Sequence, residues 1–70
     1  GIGEALMMDM IARLERSAYI TQVHLYVLST EERAIRLYER CGFTHCGTMH
    51  RNAYQNGIYY DQHVMERAIK

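Results

Sequence analysis

The sequence contains no proline and no tryptophan, and only two of its 70 residues are cysteines. Two cysteines, Cys41 and Cys46, are too few to staple a miniprotein with disulfides, so we expect a reducing, cytoplasmic location. An excess of charge is also missing, because 8 basic and 8 acidic residues leave a formal net charge of +0. This balance removes the usual argument for nucleic acid or an anionic membrane surface, and we expect neither as a partner.

Long apolar runs are absent as well, since none approaches the roughly 20 residues that span a bilayer. The first residues lack the charged and apolar regions of a secretory signal. Hydrophobic residues nevertheless make up 49% of the chain, which is too many for a disordered protein. Seventy residues bury little surface, and the sequence opens on Gly1 rather than on methionine. We therefore expect residues 1–70 to form a single partial domain, a piece of something longer.

The first part of the chain predicts a helix followed by a strand. From Ile2 to about Ala18, apolar residues fall within one arc of roughly 140°, which indicates an amphipathic helix that docks on an apolar surface. The arc consists of Leu6, Met7, Met10, Ile11, Leu14 and Ala18. The segment from Ile20 to Leu28 is rich in β-branched and aromatic residues and predicts a strand. Its apolar residues lie on both faces, which favours a central position in a sheet.

A second helix is predicted by the residues at its two ends. Ser29 followed by Glu32 fits a capping box, in which each side chain accepts a backbone N–H of the other residue. The helix is expected to run to Cys41. Gly42 supplies the left-handed residue that ends it, and Phe43 then folds back on the last turn.

The last part of the chain predicts a β-hairpin. Strands from Thr44 to Tyr54 and from Ile58 to Arg67 are joined by Gln55-Asn56-Gly57. Asn-Gly is a strong hairpin signal, because a type I′ turn needs positive φ at both central positions. The predicted fold class is therefore α/β (α+β), in the order α-β-α-β-β. The hairpin's second strand is expected between the other two strands of a small mixed sheet, with the first helix packed on that sheet.

Two features could bind or react with a ligand. Gly1-x-Gly3 leads directly into a helix, whose N-terminal N–H groups attract phosphate, although two glycines are also typical of a flexible end. Glu31, Ala34, Tyr38 and Cys41 share one stripe of the second helix. The Tyr38 phenol is mostly protonated at neutral pH and could donate a proton to a leaving group. The alternative is a core tyrosine with its hydroxyl bonded to the backbone.

Other polar clusters carry weaker signals. Arg33, Arg36 and Arg40 share a face that we interpret as solvated and paired with Glu32 and Glu39. The histidine and cysteine spacings match no zinc signature, so no metal is expected. The residues concerned are His24, His45, His50, His63, Cys41 and Cys46. The hypothesis that Cys46 and a histidine form a nucleophilic pair remains open, although the spacing of these residues does not support it.

Three blocks of residues, taken in order, carry a resemblance to a known family. The first is Gly1-Ile2-Gly3-Glu4-Ala5-Leu6-Met7, and the second runs from Glu31 to Phe43 with Leu37-Tyr38 and Gly42-Phe43 inside it. The third consists of Gly47, Gly57, Tyr59, Asp61, Met65 and Arg67. Together they resemble the C-terminal half of the GNAT family of N-acetyltransferases, from the coenzyme-A loop helix to the final hairpin.

This resemblance implies acetyl transfer from acetyl-coenzyme A (acetyl-CoA), without a metal, to the primary amine of a small molecule or peptide. Backbone amides around Gly1, Ile2 and Gly3 would hold the pyrophosphate, and Ala34 would border the pantetheine arm. Tyr38 would protonate the departing thiolate. Glu31 would also lie near the coenzyme, at a position where the family signature has asparagine.

The family resemblance also implies that a first half, with the acceptor pocket, is missing from this sequence. In the family, that half provides the neighbour of the strand from Ile20 to Leu28. Without it the strand has an unpaired edge, which invites pairing with another chain. We therefore expect a partner, either the missing N-terminal half or a second copy. The alternative function is a non-catalytic remnant or interaction module that keeps half of the fold.

Overall fold

The structure is a computed structural model that describes residues 1–69. It contains two helices and three strands in the predicted order α-β-α-β-β, so the α+β fold class is confirmed. The elements are α1 (Ile2–Glu15), β1 (Gln22–Leu28), α2 (Glu32–Arg40), β2 (Thr44–Gln55) and β3 (Ile58–Ala68). Neither helix within this range combines the length and the apolar character that crossing a membrane requires.

The three strands form one sheet in the order β1-β3-β2. The predicted central position of β3 is confirmed, but the prediction of a mixed sheet is wrong, because β3 pairs antiparallel with both neighbours. β1 and β2 run in the same direction and are not paired with each other, since β3 lies between them. Strand β1 lies at an edge of the described sheet rather than at its centre, because residues 1–69 provide no strand on its other side.

A small core joins α1, the end of α2 and the sheet. Its five buried side chains are Ile11, Val27, Cys41, Phe43 and Met65. They come from α1, β1, the C-terminal end of α2 and β3, so the predicted packing of α1 on the sheet is confirmed. The described part of the chain covers only one side of the apolar arc of α1.

Helix α1 is shorter and more exposed than predicted. It ends at Glu15 rather than near Ala18. Ile11 is fully buried, whereas Leu6 and Met10 on the same arc are 66% and 41% exposed. The physical reason is that a three-stranded sheet and a nine-residue α2 are too small to cover the whole arc.

The predicted capping box at the start of α2 is wrong. The helix begins at Glu32, its N-cap is Glu31, and no side chain caps it. Ser29 instead extends the ladder between β1 and β3, because its N–H donates to the Asp61 carbonyl at 2.9 Å. A residue that is still paired in a sheet cannot serve as the N-cap of a helix that starts three positions later.

The end of α2 has the predicted left-handed closure. Gly42 has a φ of 92°. Its N–H donates to the Glu39 carbonyl at 3.1 Å, and the Phe43 N–H donates to the Tyr38 carbonyl at 2.9 Å. The Phe43 ring packs edge-on against Tyr38 with ring centroids 5.9 Å apart. This is the Schellman motif with its hydrophobic contact.

The hairpin turn is also confirmed, since Asn56 and Gly57 have φ values of 52° and 79°. The pairing between β2 and β3 is interrupted at two places along β2, once between His45 and Gly47 and once between Met49 and Ala53.

Candidate functional site

The N-terminus of α1 is open and uncapped by any side chain. Gly1 is its N-cap, and the Gly1 carbonyl accepts the Ala5 N–H at 3.1 Å. The first N–H groups of a helix have no partner inside the helix, so those that follow Gly1 are available to a ligand. A Cβ placed on Gly1 would meet nothing within 4 Å. This end of α1 therefore leaves space for an anion to approach the backbone.

The structure brings this end of α1 against the C-terminal half of α2. A Cβ on Gly3 would lie 3.4 Å from the Leu37 Cδ2 atom. About one turn of α2 beyond Leu37, Arg40 Nε lies 3.6 Å from Oε2 of the next residue of α1, Glu4. Arg40 therefore forms an ion pair between the two helices. The sequence-based interpretation had instead paired it with Glu39 on a solvated face. The Arg40 side chain is 60% exposed, so this ion pair contributes at most about 1 kcal/mol.

Tyr38 lies in this same half of α2. It is half-buried and packs against the core and against Phe43. Among residues 1–69, its hydroxyl makes no hydrogen bond with another group. The alternative interpretation, a core tyrosine whose hydroxyl is bonded to the backbone, is therefore not what the structure shows.

Glu31, Ala34 and Tyr38 lie along one side of α2 because they are three and four positions apart. Glu31 is exposed at the N-cap, and Ala34 is half-buried against the core. Seven residues of helix separate Glu31 from Tyr38, which is about 10 Å at 1.5 Å per residue. The predicted coenzyme-contacting residues of α2 thus form a line along one side of the helix, not a compact cluster. Such a line matches an elongated ligand.

The histidines and cysteines do not form a metal site or a nucleophile pair in the described residues. Within residues 1–69 no pocket surrounds them, and no three His, Cys, Asp or Glu side chains converge as metal ligands do. Both cysteines are free. The Cys46 thiol donates to the Val64 carbonyl at 3.4 Å, so the open prediction of a Cys46–histidine pair is not what the structure shows.

His45 and His63 share one partner and pack ring against ring, with centroids 4.6 Å apart, whereas His24 and His50 lie elsewhere. Thr48 Oγ1 lies 3.1 Å from His45 Nε2 and 3.0 Å from His63 Nδ1. His24 Nε2 lies 3.3 Å from Glu66 Oε2 on the other face of the sheet. The four histidines are thus distributed over two faces and the hairpin.

Asp61 has a role that the spacing of residues did not predict. Its carbonyl accepts the Ser29 N–H, and its Oδ1 accepts the Arg51 N–H at 2.9 Å. Its Oδ2 lies 3.3 Å from His50 Nδ1. The Arg51 N–H, and then His50, stabilise the carboxylate and lower the pKa of Asp61 below its usual 3.8. Its only sequence signal was its place in the third block of the family resemblance.

Comparison with known proteins places this chain among acetyltransferases. Residues 1–43 match the model of the acetyltransferase (GNAT) family. The chain is 33% identical over 67 residues to the L-amino acid N-acetyltransferase AaaT of Escherichia coli (strain K12), covering 96% of this chain and 41% of that protein.

Solved structures give the same result. A GNAT-family acetyltransferase from Streptococcus pneumoniae superposes with a TM-score of 0.93 at 28% identity, covering 97% of this chain and 41% of that one. A mutant of the spermidine N-acetyltransferase SpeG from Vibrio cholerae superposes with a TM-score of 0.92 at 26% identity, covering 99% and 41%. The chain therefore spans about 41% of the length of these relatives.

Proposed function

This chain belongs to the acetyltransferase (GNAT) family, and from that premise we propose that it is the coenzyme-binding portion of an N-acetyltransferase. The whole enzyme, in a longer chain or an assembly, would transfer the acetyl group of acetyl-CoA to a primary amine of a small molecule or peptide. The observation that carries the proposal is the approach of the open N-terminus of α1 to the half of α2 that bears Tyr38. It packs an anion-binding backbone against the helix that carries a phenol with an unbonded hydroxyl.

The α1 N-terminus suits the pyrophosphate of the coenzyme. The first N–H groups of α1 and about half a positive charge from the helix dipole point out of its end. Gly1 and Gly3 present no side chain there, and the space beside Gly1 is open. We propose that the amides around Gly1, Ile2 and Gly3 bind the pyrophosphate. The pantetheine arm would then border Ala34, with its sulfur end at Tyr38 and with Glu31 also near the coenzyme.

Tyr38 is the proposed proton donor. In acetyl transfer the amine nitrogen forms a bond to the thioester carbonyl carbon, and the carbon–sulfur bond breaks. The amine nitrogen gives up a proton to solvent, the departing sulfur takes one, and a tyrosine hydroxyl can donate that proton and regain it from solvent. The Tyr38 hydroxyl has no competing partner within residues 1–69, so it is available for this transfer.

Calorimetry with acetyl-CoA tests the proposal on this chain. We expect saturable binding that is unchanged in Tyr38→Phe, because the phenol is proposed to act on the leaving group and not on affinity. Release of free thiol is then measured with a panel of polyamines and amino acids. Tyr38→Phe should lower that rate by about 10²-fold or more. Tyr19→Phe is the matched control, since Tyr19 is 93% exposed and belongs to no part of the proposed site. Unchanged turnover in Tyr38→Phe would remove Tyr38 from the mechanism.

The edge of β1 supports a proposed partner. In antiparallel pairs, hydrogen-bonded residues alternate with residues whose N–H and C=O groups face away. Thr21 accepts the N–H of Ile69, directly after β3, and the Ser29 N–H donates to Asp61 of β3. By alternation, the even-numbered residues between them point their backbone groups out of the sheet, namely Gln22, His24, Tyr26 and Leu28. We propose that this edge pairs with the missing N-terminal half or with a second copy.

A second candidate function is an interaction module without turnover. The exposed apolar residues of α1 and the free edge of β1 favour it, because both are features of a binding surface. Absence of acetyl-CoA binding in the calorimetric experiment would support this candidate. In either case we propose a cytoplasmic location, with which two free cysteines agree.

A further inference from the structure

The sheet carries a histidine that is oriented by a carboxylate. His24 on β1 and Glu66 on β3 are direct cross-strand partners. His24 Nε2 lies 3.3 Å from Glu66 Oε2, and the Gln22 side-chain amide donates to the same oxygen at 3.0 Å. An ionised carboxylate can only accept hydrogen bonds, so Nε2 of the neutral imidazole carries the hydrogen. The lone pair of His24 then lies on Nδ1, which is the atom that can accept a proton.

No helix of residues 1–69 packs on the face of the sheet that carries this pair. Side chains alternate between the two faces of a strand. Val27 of β1 and Met65 of β3 pack in the core with α1 and the end of α2. His24 and Glu66 therefore project from the opposite side, which we call the open face. The His24 side chain is 49% exposed, so a molecule in solution can reach its ring.

Tyr38 lies at the same level of the sheet as His24, on the helix side. The Tyr38 ring packs against Phe43, and the next residue along the chain, Thr44, pairs with Glu66. Glu66 pairs in turn with His24. Strand β1 is an edge strand of the described sheet, so the two faces meet along its free edge. A reacting group at this edge would have the phenol on one side and the imidazole on the other.

We propose that His24 is the general base of the acetyl transfer and that the acceptor amine approaches the thioester from the open face. This inference rests on the proposed function and names the group that activates the acceptor. The amine nitrogen bonds to the thioester carbonyl carbon, and His24 Nδ1 takes up the proton that the nitrogen gives up. The carbon–sulfur bond breaks, and Tyr38 protonates the sulfur. His24 then passes its proton to solvent, which its exposure allows.

Two groups on opposite faces suit the two proton transfers. The nitrogen loses a proton while the sulfur gains one, so one group must be ready to accept and another ready to donate. A partner strand that pairs with one end of β1 leaves the rest of the edge open for the acetyl group. The proposed pairing of β1 is therefore compatible with the proposed base.

The charges on the open face suit a histidine that becomes positive during the reaction. Glu66 is the only carboxylate that the described strands place there, because Asp61 alternates with Met65 on the helix side. The carboxylate stabilises the imidazolium that forms when His24 takes up a proton. Glu66 is thus a positioning residue that also supports the charged intermediate state of the base. The other titratable side chains near this face are Tyr26, Tyr60 and Cys46.

The thiol-release assay with a panel of amines tests the role of His24. His24→Gln should bind acetyl-CoA as the parent chain does and should release thiol about 10²-fold more slowly or less, which is the usual contribution of a general base. His50→Gln is the matched control, because His50 is also exposed and also paired with a carboxylate, but on the hairpin. Its rate should equal that of the parent chain. An unchanged rate in His24→Gln would overturn the inference.

The pH dependence separates a base from a residue that only supports the fold. Only a neutral imidazole can accept a proton, so the ratio of the parent rate to the His24→Gln rate should fall toward one between about pH 8 and about pH 5. Protonation of the acceptor amine affects both chains equally and cancels in this ratio. A large ratio that does not change with pH would overturn the inference.

NMR of the His24 ring nitrogens tests the orientation without any turnover. We expect the parent chain to carry the hydrogen on Nε2, and Glu66→Ala to show a mixture of both neutral forms. Glu66→Gln keeps an oxygen that accepts the Nε2–H, so it should retain more of the thiol-release rate than Glu66→Ala. A hydrogen on Nδ1 in the parent chain would overturn the inference, since that nitrogen could not accept a proton.

The same measurements distinguish the two proposals. Thiol release by the parent chain at the rate of His24→Gln would contradict only the role of His24. A parent chain that does not bind acetyl-CoA, or that releases no thiol with any amine, would contradict the proposed function, and the role of His24 would fall with it.

Discussion

Substitution of Gly42 by alanine tests how the end of α2 is built. Gly42 combines two constraints, a φ of 92° and a close neighbour, because an added Cβ would lie 2.7 Å from the Arg67 Nε atom. Alanine at this position must adopt an unfavourable backbone conformation and displace the Arg67 side chain at the same time. It would also disturb the hydrogen bond from the Phe43 N–H to the Tyr38 carbonyl.

The expected loss of stability follows from the backbone conformation of residue 42 and from the displacement of Arg67. The left-handed conformation alone costs a non-glycine residue about 1–2 kcal/mol. Displacement of Arg67 adds to this, so we expect the free energy of unfolding to fall by about 2 kcal/mol. A chain of this length is stabilised in total by about 4–10 kcal/mol. Each kcal/mol corresponds to about 4–8 °C in a domain of this size, so Tm should fall by about 8–16 °C.

Urea denaturation followed by circular dichroism measures the effect. Gly47→Ala is the matched control, because a Cβ on Gly47 meets nothing within 4 Å and its φ is not positive. A double-mutant cycle with Arg67→Ala separates the two terms, since the steric part disappears when Arg67 is truncated. Our account of this helix end is refuted if Gly42→Ala is as stable as Gly47→Ala.

Three further predictions concern the core, the sheet edge and Asp61. Ile11→Ala should lower the free energy of unfolding by about 2–5 kcal/mol, because Ile11 is fully buried, whereas Leu6→Ala should change it little; equal losses in urea denaturation would contradict the described core. Tyr26→Lys should reduce self-association measured by sedimentation, because a charge on the β1 edge opposes strand pairing, and Tyr19→Lys, at an exposed position outside the strands, should not. The pKa of Asp61 is lowered in the folded state, so its contribution to stability is present above its unfolded pKa of 3.8 and is lost as the pH falls through its folded value. The stability difference between the parent chain and Asp61→Asn should therefore be larger at pH 7 than at pH 3, and a difference independent of pH would contradict this.

Features set by neighbouring residues could be predicted from the sequence. Gly42 and the Asn56-Gly57 pair need positive φ, and both turns form where these residues occur. The failure at Ser29 has the opposite cause. Its cap signal was local, but its N–H is taken by Asp61, which is 32 positions away in the chain. A distant strand partner outweighed a favourable local pattern.

In the candidate site, too, local features could be predicted from the sequence and contacts between distant residues could not. Helical periodicity was enough to align Glu31, Ala34 and Tyr38, because residues three and four apart share a face. The approach of Gly3 to Leu37 depends on how two helices meet, which their separate patterns do not contain. The interruption of the pairing between β2 and β3 at Arg51 was missed for a related reason. It depends on a carboxylate ten residues away that binds a backbone N–H, and no periodic pattern marks such a bond.

Asp61 also links parts of the chain that would otherwise move independently. Through it, the loop before α2 and the middle of β2 are attached to one residue of the central strand. If that residue leaves its place, both attachments open together. The amide protons of Ser29 and Arg51, one in a loop and one in β2, should therefore show a common protection factor in exchange with deuterated water.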